Sequence, residues 1–262
     1  MTRVAQTEFK LVDFLNDYYR RYNRREFVHP DPLEFLYDYE NIRDREIAGL
    51  IASSLAYGRV SQILNSVASI LDRMPSPYEF LMSSSKKSLE KMFCDFKHRF
   101  TTGDELANLL YGVKRAIETQ DSVENCFMAG FSPDDETVIP ALCNFVDSIE
   151  TFSGRSFYRL LPHPCRGSAC KRLNLFLRWM VREDDVDPGG WYNISPSRLV
   201  VPLDTHLYRI SKSLGLTKRN SADLASALEI TEAFREIAPD DPVKFDFALT
   251  RQGIRNEKDL VF

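Results

Sequence analysis

The sequence predicts an all-α protein, and three observations predict it. Apolar residues recur at three- and four-residue steps through most of the chain. No stretch shows sustained two-residue alternation bounded by hairpin turn pairs. The composition, 44% apolar and 27% charged, is that of an ordinary globular chain.

Leu11, Val12, Phe14, Leu15, Tyr18, Tyr19 and Tyr22 fall on one face of a first helix, which a break at His29-Pro30-Asp31-Pro32 follows. Asp44 is placed to cap a second run carrying Ile47, Leu50, Ile51, Ser54 and Leu55, which stops near Gly58. Val60, Ile63, Leu64, Val67, Ile70 and Leu71 define a third helix, closed by Pro75 and Pro77. Helical stretches with weaker edges cover 103–118 and 137–152, while 81–100 is polar and then mixed, with no element assigned. A loop from Leu161 to Ser168 leads into a helix with Ser168 as the expected N-cap. Its buried stripe is Leu173, Phe176, Leu177 and Met180, with Lys171, Arg178 and Arg182 on other faces. An acidic, glycine-bearing loop spans 183–191. Asp204 then stands at the N-cap of a helix carrying Leu207, Ile210 and Leu214, and Gly215-Leu216 reads as a left-handed C-terminal cap. Helices at 221–237 and 242–253 complete the expectation.

The chain can bury a substantial core without staples. Five cysteines with no repeating spacing argue for reduced thiols and against a disulfide framework. Cys165 and Cys170 are close in sequence but lack the Cys/His spacing of a zinc site, so no metal and no cofactor are expected. No apolar run is long enough to span a bilayer, and the first ten residues lack a signal-peptide core; a cytoplasmic location with no membrane contact is expected. The net charge of −4 is unevenly spread. Between Arg155 and Arg219 twelve Lys/Arg face five Asp/Glu, a net of +7 that leaves −11 for the remainder. This is either a phosphate-facing surface or a chance imbalance.

The segment Pro202-Leu-Asp204-Thr-His206-Leu-Tyr-Arg209-Ile-Ser-Lys-Ser-Leu-Gly-Leu resembles the stretch of helix-hairpin-helix DNA glycosylases that carries their essential aspartate. The Lys171 helix is similar to the lysine-bearing helix of the archaeal 8-oxoguanine branch, with the lysine 33 residues before the aspartate. Lys-Arg-Leu-Asn-Leu-Phe-Leu-Arg-Trp-Met-Val-Arg, from Lys171 to Arg182, also resembles an uncharacterised bacterial family of the same superfamily. The glycosylase likeness covers about 155–255. It departs at the hairpin: Leu161-Pro-His-Pro-Cys-Arg-Gly167 has one glycine, where the glycosylase hairpin exposes glycine amides to a phosphate. Arg166 or His163 is the expected substitute.

The resemblance implies two intimately joined helical lobes, 1–150 and 151–262, the second carrying the catalytic pair. Lys171, in a first helical turn beside Arg172, would attack the sugar C1′ of a flipped-out nucleotide as a Schiff-base nucleophile. Asp204 would stay ionised and shuttle protons. The implied partner is damaged duplex DNA, held along 155–219 by Arg166, Arg172, Arg178, His206 and Arg209, with Arg59 in the turn before the third helix; no protein partner is implied. Tyr57, Arg59 or Gln62 could fill the gap left by a flipped base, or this could be a plain interhelical turn. Trp179 and Trp191 are core or lid residues, with base stacking the alternative for Trp191. Arg251 either contacts phosphate or pairs with an acid. The function expected is therefore a glycosylase with lyase activity on an oxidised purine such as 8-oxoguanine. The alternative is a nucleic-acid binder that keeps the fold without the chemistry.

Overall fold

The computed structural model of the protein describes residues 3–157 and 159–254. The end of the expected second lobe, 255–262, lies outside the described residues. The chain is mostly helical. In order come α1 (Arg3–Tyr22), α2 (Ile42–Ser54), α3 (Val60–Leu71), α4 (Pro77–Ser83) and α5 (Lys86–Met92). A two-residue hairpin, β1 (Lys97–His98) and β2 (Thr101–Thr102), leads to α6 (Gly103–Gln120), α7 (Val123–Met128) and α8 (Ile139–Ser153). The last four are α9 (Lys171–Val181), α10 (Thr205–Ser213), α11 (Leu224–Ile237) and α12 (Phe245–Ile254). Among the described residues no helix is long and apolar enough to cross a membrane.

The caps are made by short polar side chains that satisfy the free amides of each first turn. Thr102 and Glu105 form a reciprocal capping box at α6, and Ser85, Ser122 and Asp223 cap α5, α7 and α11. Two expected caps differ. Asn41, not Asp44, caps α2; Asp44 is buried and accepts from the Tyr78 amide at 2.7 Å, fixing the start of α4. Ser168 caps only a turn, accepting from the Cys170 amide, and α9 begins at Lys171 after Cys170 in a left-handed conformation. At the end of α10 Gly215 has φ +75°. Its amide and that of Leu216 donate to the carbonyls of Lys212 and Ser211, the Schellman pattern that the Gly-Leu pair predicts.

One hydrophobic cluster runs through the molecule. Helix α6 packs on α8, α5 and α7, and α2 packs on α4 and α7, forming a middle lobe. Helix α1 lies on α12, which also meets α10, and α2 against α9 joins the two groups. The first helix thus belongs with the last ones. Tyr19 and Asn23 each donate to Asp184 at 3.0 Å, and Arg251 reaches the Val28 carbonyl and Asp31. The N-terminal helix, placed in the first of the two expected lobes, thus packs beside segments placed in the second.

Both tryptophans are fully buried, which removes base stacking by Trp191. Trp191 packs edge-on to Phe176 and donates its indole N–H to Glu46 at 2.8 Å. Burial pushes the Glu46 carboxyl up to about 7 against the N–H groups that favour its charge. The folded state then keeps a proton that the unfolded chain releases, so stability falls as pH rises from the ordinary carboxylate range through 7. Glu46→Gln keeps an oxygen for Trp191 and carries no charge. Urea unfolding at pH 5 and pH 8 should show the wild type losing about 2–3 kcal/mol relative to Glu46→Gln. Equal pH dependence in both proteins would contradict this.

Candidate active site

Lys171 and Asp204 meet. Each stands at a helix start: Lys171 is the first residue of α9, and Asp204 is the N-cap of α10, accepting from the amides of His206 and Leu207 at 2.8 Å. Lys171 Nζ lies 2.9 Å from Asp204 Oδ2, with the side chains 35% and 29% exposed. Burial works against charge on Asp204, and the Lys171 ammonium together with the two amides outweighs it. The carboxyl is held below its usual range.

The pair lines a pocket of about 410 Å³. Pro30, Asp31 and Pro32 form one wall, and the turn Ala56-Tyr57-Gly58 with Val60 and Ile63 forms another. Gly58 has φ +100°, which permits this tight turn between α2 and α3. Arg178, Asp246, Thr250 and Arg251 also line the pocket. Two helix N-termini, a lysine and a carboxylate therefore open onto one cavity of ligand size.

The charged lining is cross-linked. Arg178, 3% exposed, bonds to Asp187 at 3.1 Å and to Asp246. Arg182 bonds to Asp184, Asp187 and Asp241. Arg251 pairs with Asp31 at 2.6 Å, so of its two readings the acid pairing is the one found. These acids were not singled out in the sequence. Asp31 and Asp246 lie far along the chain from their arginines and carry no local motif.

The expected DNA-facing residues divide. The side chains of Arg166, Arg209 and Arg59 are exposed, without a hydrogen-bond partner among the described residues. Arg178 is buried in the network just described and meets the pocket rather than the outer surface. Arg172 is also turned inward: it donates to the carbonyls of Ser54, at 2.9 Å, and Arg159, and lies over the Tyr57 ring. His206 is half-buried, and its Nε2 is enclosed without a partner among the described residues. The +7 stretch is largely neutralised by acids from elsewhere, with Arg155 on Asp104, Arg159 on Glu105 and Arg219 on Asp223. Tyr57 is held by the His98 carbonyl and the Thr101 hydroxyl at 3.0 and 2.7 Å, whereas Gln62, like Arg59, is exposed.

The expectation of uncrosslinked thiols is corrected at one place. Cys143 of α8 and Cys165 form a disulfide with a Cα–Cα distance of 6.3 Å. Packing of the 3-10 turn Pro164–Arg166 against α8 brings together residues 22 apart, which spacing alone does not reveal. Beside it, His163 Nε2 contacts Asp147 at 3.1 Å. Cys170 is buried with its thiol pushed up to about 11 by burial, so it is not a nucleophile at neutral pH.

No curated protein and no solved structure matches the chain. Residues 31–255 match the family described as "Protein of unknown function (DUF2400)". That match takes in the Lys171–Asp204 pair and every pocket-lining residue named above except Pro30, and the chain belongs to this uncharacterised family.

Proposed function

We propose that this protein is a DNA base-excision glycosylase with an associated lyase activity, using Lys171 as the nucleophile and Asp204 as its proton partner. The observation that carries the reading is the 2.9 Å contact between Lys171 Nζ and Asp204 Oδ2 at the mouths of two helices in a 410 Å³ pocket. The likeness of both segments to helix-hairpin-helix glycosylases supplies the reaction class, and the 33-residue spacing supplies the substrate, an oxidised purine such as 8-oxoguanine.

In this scheme a flipped-out nucleotide enters the pocket and Asp204 accepts a proton from the lysine ammonium. The free amine attacks C1′ while the glycosidic C–N bond breaks, and its electron pair leaves with the base, which takes up a proton. The sugar ring opens as the C1′–nitrogen bond becomes an imine. Loss of a C2′ proton then expels the 3′ phosphate and cuts the strand. Asp204 hands the lysine's proton to the departing base and, anionic again, stabilises the positive charge on the sugar. Arg166, Arg209 and Arg59 are the exposed candidates for backbone phosphates.

Borohydride trapping on a duplex containing an abasic site tests the chemistry. The wild type should form a covalent adduct, and Lys171→Ala should form none. Salt-sensitive DNA binding without an adduct from the wild type would reject the lyase and leave the alternative, a binder that keeps the fold.

A further inference from the structure

We propose that, once reduced, the turn before α9 is a Zn²⁺-class metal site held by Cys143, Cys165 and His163. The three offer ligand atoms that all lie within 4.8 Å of one another. Two come from the loop at i and i+2, and the third from the facing helix α8. Thiolate and imidazole together favour zinc over the harder cations that oxygen ligands hold. A tetrahedral ion at about 2.3 Å from sulfur and 2.0 Å from nitrogen needs its ligands about 3.5–3.8 Å apart, a small adjustment of these side chains.

The Nδ1 of His163 accepts from the Cys165 amide at 3.2 Å, so the lone pair is on Nδ1 and the proton on Nε2, which donates to Asp147 at 3.1 Å; the ion would take that lone pair in place of the amide. A carboxylate gripping the far nitrogen of a ligating imidazole is the usual second support of a metal-bound histidine. Asp147 is one helical turn beyond Cys143 on α8, so one helix supplies both a ligand and the residue that positions the imidazole. Cys165 is exposed, which leaves a side open for a solvent molecule as the fourth ligand.

In the disulfide form the sulfurs are bonded to each other and cannot bind the ion. A phosphine or dithiol reductant supplies two electrons to break the S–S bond, and two protons complete the thiols. A divalent ion then displaces both thiol protons to form two metal–thiolate bonds. Disulfide and metal are thus alternative staples between α8 and the loop that leads to Lys171, exchanged by redox state. This inference does not depend on the glycosylase reading.

The test titrates Co²⁺ into the full chain, anaerobically, after reduction with a phosphine. We expect one equivalent to produce thiolate-to-cobalt charge-transfer absorption that Zn²⁺ abolishes, and the oxidised chain to produce none. Cys143→Ser and Cys165→Ser should each remove the band, while Cys94→Ser should keep it. Asp147→Asn should weaken affinity about 10- to 100-fold with the band's position unchanged. Since Cys165 is exposed, Cys165→Ser is the variant least exposed to folding loss, and circular dichroism reports its fold. A reduced wild type without the band, or a band that persists in Cys165→Ser, would overturn the proposal.

Discussion

Asp204→Asn should lower turnover on a damaged duplex by about 10²–10⁴-fold while leaving the fold and DNA affinity near those of the wild type. The substitution separates two roles that one side chain combines. As an N-cap, Asp204 accepts from the amides of His206 and Leu207 through Oδ1, and the carbonyl oxygen of asparagine can do the same. As the partner of Lys171 it acts through the charge on Oδ2, and asparagine has none. Asp204→Ala removes both, and should add a stability loss of about 1 kcal/mol. Single-turnover cleavage and thermal unfolding of the three proteins measure the separation. A cleavage rate for Asp204→Asn within a few-fold of wild type would reduce Asp204 to a cap. The acid limb of the wild-type rate should also lie below the range of an ordinary carboxylate, because Lys171 and the helix amides hold the charge on Asp204 to lower pH.

Asp187→Ala should destabilise the protein by about 3–5 kcal/mol, the loss expected when one member of a buried ion network is removed. Asp187 is fully buried and bridges Arg178 and Arg182, each only 3% exposed. Without it, Arg178 keeps Asp246, and Arg182 keeps Asp184 and Asp241, so two buried guanidinium groups share fewer carboxylates. The loss is a large part of the roughly 5–15 kcal/mol that holds an ordinary domain. Urea unfolding at neutral pH measures it, and a change under about 1 kcal/mol would mean that water or rearranged acids compensate the arginines. Because Arg178 lines the pocket beside Lys171, the pair's geometry should loosen with the network, and Lys171 adduct formation should fall in the same variant.

The sequence by itself determined the helical class and the elements with strong periodicity or local caps. The faces of α1, α3 and α9 and the Gly215 terminus depend on neighbours a turn or two away, and those interactions are written in consecutive residues. So is the place of Asp204 at the start of α10, because a cap bonds to amides two and three residues on. Tertiary structure decided everything that depends on distant partners. The short helices α4, α5 and α7 have too few residues to show a period and are held by packing on α2 and α6. Arg172 and Arg178 are indistinguishable in sequence from phosphate-binding arginines, and only their burial against Ser54, Asp187 and Asp246 turns them inward. The Cys143–Cys165 contact, the return of α1 onto α12, and the Arg251–Asp31 pair join residues from 22 to more than 200 positions apart. A side chain's partner is fixed by which helix faces cover one another, and that is settled by burying apolar surface across the whole molecule rather than by any local signal.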